Sequence, residues 1–318
     1  MPAAVSLNGT LLAPDALPTV SALDAGLQHG VGLFETLLGG VDASGEPHLA
    51  HLDEHLERLE TSALALGLAR ELSREALRAD LVNTLRASGL RRARVRLTLT
   101  PGDTNLLQQA RAEAEGQNMP PPSGPTVLVV ATPAVEYPEE LFERGGSITI
   151  ADLRVNPLNA FESHKTLNYW PRLHALAQAA RRRAVEALVF SVTNHVAGAC
   201  VGNVLLVKDG TLLTPIARGE EQLVAGHGTP LPSLALPSPV LPGTVRAWAL
   251  EWATARGMVV ERRMLSIDDV LAADEVLITN SGWGVLPVVK VEKEAIADGI
   301  PGPTARDLRQ AFLALLPA

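Results

Sequence analysis

The stretch LFETLLGGVDASGEPHLAHLDEHLERL, residues 33–59, changes its hydrophobic period halfway along, and that change sets the fold class. Leu33 to Leu38 and Pro47 to Ala50 are extended runs on either side of the turn-forming residues Asp42 to Gly45, the pattern of a β-hairpin. From His51 the apolar residues recur at helical spacing, through Leu52, Leu56, Leu59, Ala63 and Leu66, until Gly67 supplies a helix stop. A strand pair feeding an amphipathic helix predicts an α+β chain.

The same alternation continues outward. A second helix is expected from Ser73, its N-cap, to Ser88. Arg94 to Thr100 alternates residue by residue, placing Arg94, Arg96 and Thr98 on one face and Val95, Leu97 and Leu99 on the other. Residues 116–125 are a Pro/Gly-rich loop, and 126–131 return as a buried strand. Pro133 and Pro138 stand in an acidic stretch that marks a boundary, so two domains are expected: a small N-terminal one over 1–135, a linker over 136–145 and a larger C-terminal one over 146–318. In the second, strands are expected at 147–154, 187–192, 201–207, 258–263 and 275–280, and helices at 168–183, 245–256 and 267–273. Residues 222–243 form a long Pro/Gly-rich connection, the length of a functional lid or an insertion.

Composition excludes several classes of function. The chain has 318 residues, 47% hydrophobic and 19% charged, which is ample for real cores and unlike a disordered or fibrous protein. A net charge of −8 argues against nucleic acid or an anionic membrane as partner and favours a small molecule. Cys200 is the single cysteine, so neither an internal disulfide nor a cysteine-based zinc site is expected. With no basic leader ahead of an apolar segment and no run of about 18 apolar residues, the expected location is cytoplasmic.

Of 27 basic residues only Lys165, Lys208, Lys290 and Lys293 are lysine. Lysine alone among the cations can lose its proton and act as an amine nucleophile, which singles out Lys165 in SHKTLNY, just before a helix expected to begin near Asn168. A solvated loop lysine is the plainer reading. In LPGTVR, residues 241–246, the amides of Thr244 and Val245 open a helix and can face an anion. Ser281 and Gly282 sit in a small-residue turn that permits close backbone approach to a ligand. His51, Glu54 and His55 match an inverted zinc-peptidase pattern, but Leu56 and Leu59 make that helix a core element and no third ligand follows, so no metal is expected. The Gly30 to Gly32 pair precedes a strand and is not a dinucleotide fingerprint.

Six phrases in order resemble the class IV aminotransferase family, the fold-type IV pyridoxal-phosphate enzymes that include branched-chain and D-amino-acid aminotransferases and 4-amino-4-deoxychorismate lyase. They are GLFET at 32–36, HLDEHLERL at 51–59, KTLNY at 165–169, NVLLV at 203–207 with DGTLLTP at 209–215, LPG with Arg246, and ADEVLITNS at 273–281 with GVLPV at 284–288. The resemblance implies a two-domain α+β fold with pyridoxal 5′-phosphate between the domains, and homodimers in which the partner completes each site. Residue by residue, it implies Lys165 as the Schiff-base lysine and proton shuttle. Arg58, Thr244, Val245 and Ser281 would hold the phosphate, Tyr169 would lie near the ring's phenolic oxygen, and Asn203 would shape the pocket wall. His29, Thr36 and Gly282 would face an amino substrate.

Three positions depart from the family pattern. Gly198 stands where a glutamate would pair with the pyridine nitrogen, and that carboxylate sustains the ring as an electron sink. Pro101 replaces the arginine of a Thr-Arg-Gly phrase, leaving Arg94 or Arg96 to contact a substrate carboxylate. The phrase at 243–246 reads Gly-Thr-Val-Arg, which moves a hydroxyl by one residue. The expected activity is that of an aminotransferase-type enzyme on a small amino acid or amino-substituted acid. The alternatives are the lyase, which eliminates pyruvate to give 4-aminobenzoate, and a degenerate family member that has lost catalysis with the glutamate.

Overall fold

The computed structural model describes residues 3–69, 71–117, 124–222 and 237–317. Most of the connection expected at 222–243, and the centre of the loop at 116–125, lie outside the described residues. The chain forms two compact units. The first runs to Val135 and also takes in Lys165–Asn168 and the chain from Leu316; the second holds Glu136–His164 and Tyr169–Leu315. The division is discontinuous, because the segment carrying Lys165 is counted with the first unit although the chain on both sides of it belongs to the second.

The first unit is built from β1 (Ala4–Leu7), β2 (Thr10–Leu11), α1 (Ala25–His29), β3 (Leu33–Val41), β4 (Pro47–Leu49), α2 (Leu52–Ala65), α3 (Arg74–Ser88), β5 (Ala93–Thr100), α4 (Leu106–Ala114) and β6 (Thr126–Pro133). Its antiparallel sheet has the order β2-β1-β6-β5-β3-β4. Strict alternation in β5 puts Val95, Leu97 and Leu99 into a core with Leu33 and Leu37 of β3, Leu56 and Leu59 of α2 and Leu77, Leu81 and Leu85 of α3. The start of α3 is capped as its sequence predicts: Ser73 accepts from the Ala76 N–H at 3.2 Å, and Gly89 closes the other end in the left-handed conformation.

The second unit contains α5 (Glu139–Arg144), β7 (Gly146–Val155), α6 (Trp170–Arg181), β8 (Glu186–Ser191), β9 (Val196–Ala199), β10 (Asn203–Lys208), β11 (Thr211–Thr214), α7 (Thr244–Ala255), β12 (Val259–Arg262), α8 (Ile267–Leu271), β13 (Glu275–Asn280), β14 (Gly284–Val291), β15 (Glu294–Ala295) and α9 (Pro303–Leu313). Its mixed sheet runs β12-β11-β10-β13-β14-β7-β8-β9, with β15 paired to β14. One face packs on α7 and α9 through Leu205, Leu277, Val285, Ala249, Leu250 and Leu308. Among the described residues no helix is long and apolar enough to cross a membrane.

Several elements escape the sequence reading. A strand at β14 is masked by Pro287, a residue that cannot donate to a ladder. The structure accommodates it one position before Val288, where the parallel pairing with β7 begins. The helix α9 likewise opens on Pro303, and its buried Ala305, Leu308 and Phe312 form a stripe too short to stand out from its surroundings.

Candidate active site

Lys165 is held by backbone pairing. Strand β4 covers β3 only from Gly39 to Val41, which leaves the start of β3 open on that edge. The segment around Thr166 fills it: the Phe34 N–H donates to the Lys165 carbonyl at 2.9 Å, the Leu167 N–H donates to the Gly32 carbonyl at 2.9 Å, and Leu33 and Thr166 form an antiparallel bridge. Gly32 must be glycine here, because a Cβ would lie 2.6 Å from the Leu99 carbonyl oxygen. The Lys165 Nζ lies 4.3 Å from the centre of the Phe34 ring and the Arg96 guanidinium carbon lies 3.9 Å from the same centre, so one aromatic ring serves two cations. Lys165 is half-buried, whereas Lys290 and Lys293 are exposed and Lys208 pairs with Asp274 at 3.0 Å.

On the opposite face of β3, Glu35 is buried between α2 side chains. Arg58 donates to its two oxygens from Nε at 2.9 Å and from Nη2 at 2.6 Å, a bidentate fork, and His55 Nδ1 lies 2.6 Å from Oε2. Burial alone would push the Glu35 carboxyl up; the Arg58 and His55 interactions outweigh it and hold the group well below the ordinary carboxylate range. Burial pushes His55 down, Glu35 pulls it back, and the Arg58 and Lys165 cations push it down again, leaving the imidazole neutral. An ionised carboxylate can only accept, so Nδ1 carries the proton of this neutral ring. Arg58, expected on the cofactor phosphate, is thus oriented by Glu35. Glu54 is exposed while His55 is buried, so the two do not share a face in the manner of the zinc pattern.

The remaining first-unit candidates sit on β3, β5 and α1. Thr36 and Arg96 are direct cross-strand partners, as are Leu38 and Arg94. His29, exposed, ends α1, whose N-cap Asp24 accepts from the Gly26 N–H at 2.7 Å and from the Thr100 and Thr126 hydroxyls, each at 2.7 Å.

In the second unit the start of α7 forms a cradle. Asn203 Nδ2 donates to the Leu241 carbonyl at 2.9 Å, and its Oδ1 lies 1.9 Å from where a Cβ on Gly243 would be, so a side chain at 243 would displace Asn203. No side chain caps the helix at Gly243. Thr244 and Val245 are buried. Arg246 does not face the cradle: it turns back to Thr214 Oγ1 at 2.9 Å, the Pro215 carbonyl at 2.9 Å and Glu220 at 2.6 and 2.9 Å. Thr279, the cross-strand partner of Asn203, is buried with no bonding partner for its hydroxyl. Ser281 and Gly282 follow it in a turn pinned by Asn280 Oδ1, which accepts from the Gly282 and Trp283 N–H groups at 2.8 and 3.0 Å. A cradle of main-chain donors and hydroxyls fits a phosphate, and a half-buried amine fits an aldehyde.

Gly198, expected where a glutamate would pair with the ring nitrogen, is held in an unusual backbone conformation. Gly198 has φ +133°, a conformation L side chains rarely adopt, and a Cβ there would lie 3.1 Å from the Gly202 carbonyl oxygen. A glutamate restored at 198 is therefore strained. The nearby carboxylate, Glu186, is already occupied by the N–H groups of Ala187 at 2.9 Å, Cys200 at 3.1 Å and Val201 at 2.8 Å. Burial pushes its carboxyl up to about 7 against those hydrogen bonds, and burial and Glu186 push the Cys200 thiol up to about 12. Tyr169 OH donates to the Cys200 carbonyl at 3.4 Å, which ties it to the same turn. Glu35 and Glu186 escape the sequence reading as functional neighbours, and His55 was read only in the zinc pattern; the available signal for the two glutamates is a carboxylate inside an apolar strand, as in Phe34-Glu35-Thr36-Leu37 and Glu186-Ala187-Leu188.

Glu35 and Glu186 give stability opposite pH dependences. Glu35→Gln breaks a buried pair and should cost about 3–5 kcal/mol at pH 7. Because the folded state holds this carboxyl below its unfolded value, that stabilisation is full above about pH 4 and is lost as pH falls through and below it, so the deficit should shrink in unfolding curves at pH 3. Equal stability of variant and parent at pH 7 would contradict the pairing. Glu186 has the opposite sign: its raised folded value means stability present below the ordinary carboxylate range and lost as pH rises toward 7. Denaturation of Glu186→Gln across pH 4.5 to 8 should lack a decline of a few kcal/mol that the parent shows; parallel profiles would overturn this.

Comparison with known proteins matches this geometry to a family. The family model for amino-transferase class IV aligns with residues 32–291. A putative branched-chain-amino-acid aminotransferase of Methanocaldococcus jannaschii is 27% identical over 92% of this chain and 90% of its own. A branched-chain amino acid aminotransferase of Escherichia coli superposes with TM-score 0.79 at 23% identity, over 100% of this chain and 95% of its own. The 4-amino-4-deoxychorismate lyase of Pseudomonas aeruginosa does so with TM-score 0.75 at 26% identity, over 98% of both chains. The match over most of the sequence, in a mixed two-sheet fold of this type, means that the chain belongs to the class IV aminotransferases, a family of pyridoxal 5′-phosphate enzymes.

Proposed function

We propose that this enzyme uses Lys165 to hold the aldehyde carbon of pyridoxal 5′-phosphate and the start of α7 to hold its phosphate, and that it transfers the amino group of a small amino acid or amino-substituted acid. The observation that carries this reading is the placement of Lys165: a half-buried lysine fixed through its own backbone to β3 and set against an aromatic ring. When bound, the cofactor supplies an electron sink for charge developing at the substrate α-carbon. Thr244 and Val245 would donate main-chain N–H groups to the phosphate, with Ser281 adding its hydroxyl and Arg58 a guanidinium that Glu35 keeps in one orientation. Tyr169, held to the Cys200 carbonyl, would stand beside the ring. The Lys165 amine would carry the proton to and from the α-carbon.

Substrate recognition is assigned to the Phe34 face of β3, with Thr36 and His29 contributing. Arg96, over the same ring as Lys165, takes the carboxylate role in place of the arginine lost at Pro101; Arg94 is its neighbour on that face. Asn203 and Gly282 complete the pocket wall. Gly198 itself offers the ring nitrogen no carboxylate, which would weaken carbanion stabilisation by that position and put ordinary transamination in question. For that reason the lyase, giving 4-aminobenzoate and pyruvate, is kept as a second reading, supported by the Pseudomonas aeruginosa likeness. A cytoplasmic homodimer belongs to this proposal, and exposed Leu158, Phe161, Trp170 and Leu173 offer an apolar surface for self-association.

The product assay tests the proposal. The purified protein with pyridoxal phosphate should move an amino group from small amino acids to a keto acid, and Lys165→Ala should lower turnover by about 10²–10⁴-fold. Release of 4-aminobenzoate from aminodeoxychorismate without amino transfer would replace the aminotransferase reading with the lyase. Full activity in Lys165→Ala would sink both.

A further inference from the structure

The turn that delivers Lys165 contains no regular element between β7 and α6. Its own backbone bonds are the Asn159 N–H to the Asn156 carbonyl, the Glu162 N–H to Asn159 and the His164 N–H to Phe161. Side chains add to this: Asn156 Oδ1 and Asn159 Oδ1 accept from the Leu158 and Phe161 N–H groups at 3.0 and 3.2 Å, and one residue from beyond β11 binds the end of the turn next to Lys165. Arg218 Nη1 bonds to His164 Nε2 and lies 3.0 Å from Ser163 Oγ and 3.4 Å from the Ala160 carbonyl oxygen. Ser163 and His164 are both buried. Burial and the Arg218 charge drive His164 down to about 4, so its ring is neutral near pH 7 and Nε2 accepts from the guanidinium.

Arg218 is itself anchored. Its N–H donates to the Val240 carbonyl at 3.0 Å, and the preceding Ala217 N–H donates to Glu220 Oε2 at 2.8 Å. Glu220 is the carboxylate that binds Arg246 in the first turn of α7 and also receives Arg262 Nε at 3.1 Å. Hydrogen bonds thus tie the helix that forms the anion cradle to Glu220 and Glu220 to the Ala217 N–H, and the peptide link from Ala217 to Arg218 carries the connection on to the residue immediately before Lys165.

We infer that Arg218 is a positioning residue for Lys165, fixing the 160–164 turn so that the lysine enters its pairing with β3 in one conformation. The inference rests on the proposed role of Lys165 as the cofactor-bearing amine, and it assigns Arg218 no contact with substrate or cofactor.

The test compares the full-length protein with Arg218→Met and Arg218→Lys. Amide hydrogen exchange of the apoprotein reads the turn directly: Arg218→Met should speed exchange over residues 160–167 while leaving the α3 and β5 amides unchanged. The rate at which pyridoxal phosphate becomes attached should fall about tenfold or more, as displacement of a reacting group demands. The affinity of the apoprotein for inorganic phosphate should stay within about twofold of the parent. Arg218→Lys should show both defects in milder form. Native exchange and attachment rates in a folded Arg218→Met protein would overturn the inference, as would global acceleration of exchange with no excess at 160–167. If Arg218→Met fails to fold, Ser163→Ala combined with His164→Leu removes the two side-chain acceptors, and the same two readouts decide. If the parent attaches the cofactor at another lysine, the functional proposal fails, while the exchange result still reports whether Arg218 orders the turn.

Discussion

The placement of Lys165 depends on a short strand ending early. Because β4 spans only Pro47–Leu49, the opening residues of β3 keep unpaired backbone groups on one edge, and the segment at Lys165–Leu167 satisfies them. An open edge is normally a hazard that proteins cover. Here the cover is the lysine itself, so the position of the amine is set by main-chain geometry and not by the conformation of a long flexible side chain alone. Gly32, forced by its approach to the Leu99 carbonyl, and Phe34, whose ring the amine overlies, belong to the same three-residue stretch.

Electrostatics then divide β3 by face. The inward face carries a buried carboxylate, Glu35, kept ionised by Arg58 and accompanied by a neutral His55. The other face gathers cations, Arg94 and Arg96 from β5, and the Phe34 ring is shared by Arg96 and Lys165. A buried charge is tolerable only when its partner is fixed. The rigidity that this requirement imposes on Arg58 is also what an anion-binding guanidinium needs. In the second unit the same logic recurs: Glu220 commits Arg246 to structure, and α7 opens beside a glycine at which a side chain would displace Asn203.

Much of the scaffold was legible because its signals are local. Ser73 and Gly89 bracket α3, β5 alternates without a break, and the change of period at His51 separates hairpin from helix. Elements whose residues contradict their own propensity were not legible, as with Pro287 inside β14 or the β1 strand that pairs with distant β6. The candidate site divides in the same way. Lys165 stood out through composition and Gly243 through its place before a helix. The pairing of Glu35 with Arg58, twenty-three residues later, the retreat of Arg246 to Glu220, and the reach of Arg218 to His164 depend on tertiary placement that no spacing rule encodes. Gly198 was visible as a missing carboxylate, but that its backbone also resists a side chain required its φ of +133°.

The central claim is that Lys165 is the amine at which this enzyme's cofactor chemistry takes place. Borohydride reduction of the protein equilibrated with pyridoxal phosphate, followed by mass mapping of its peptides, addresses it most directly. A single stable adduct on Lys165 is the predicted result. An adduct confined to Lys208, Lys290 or Lys293, or no adduct at saturating cofactor, would contradict the account.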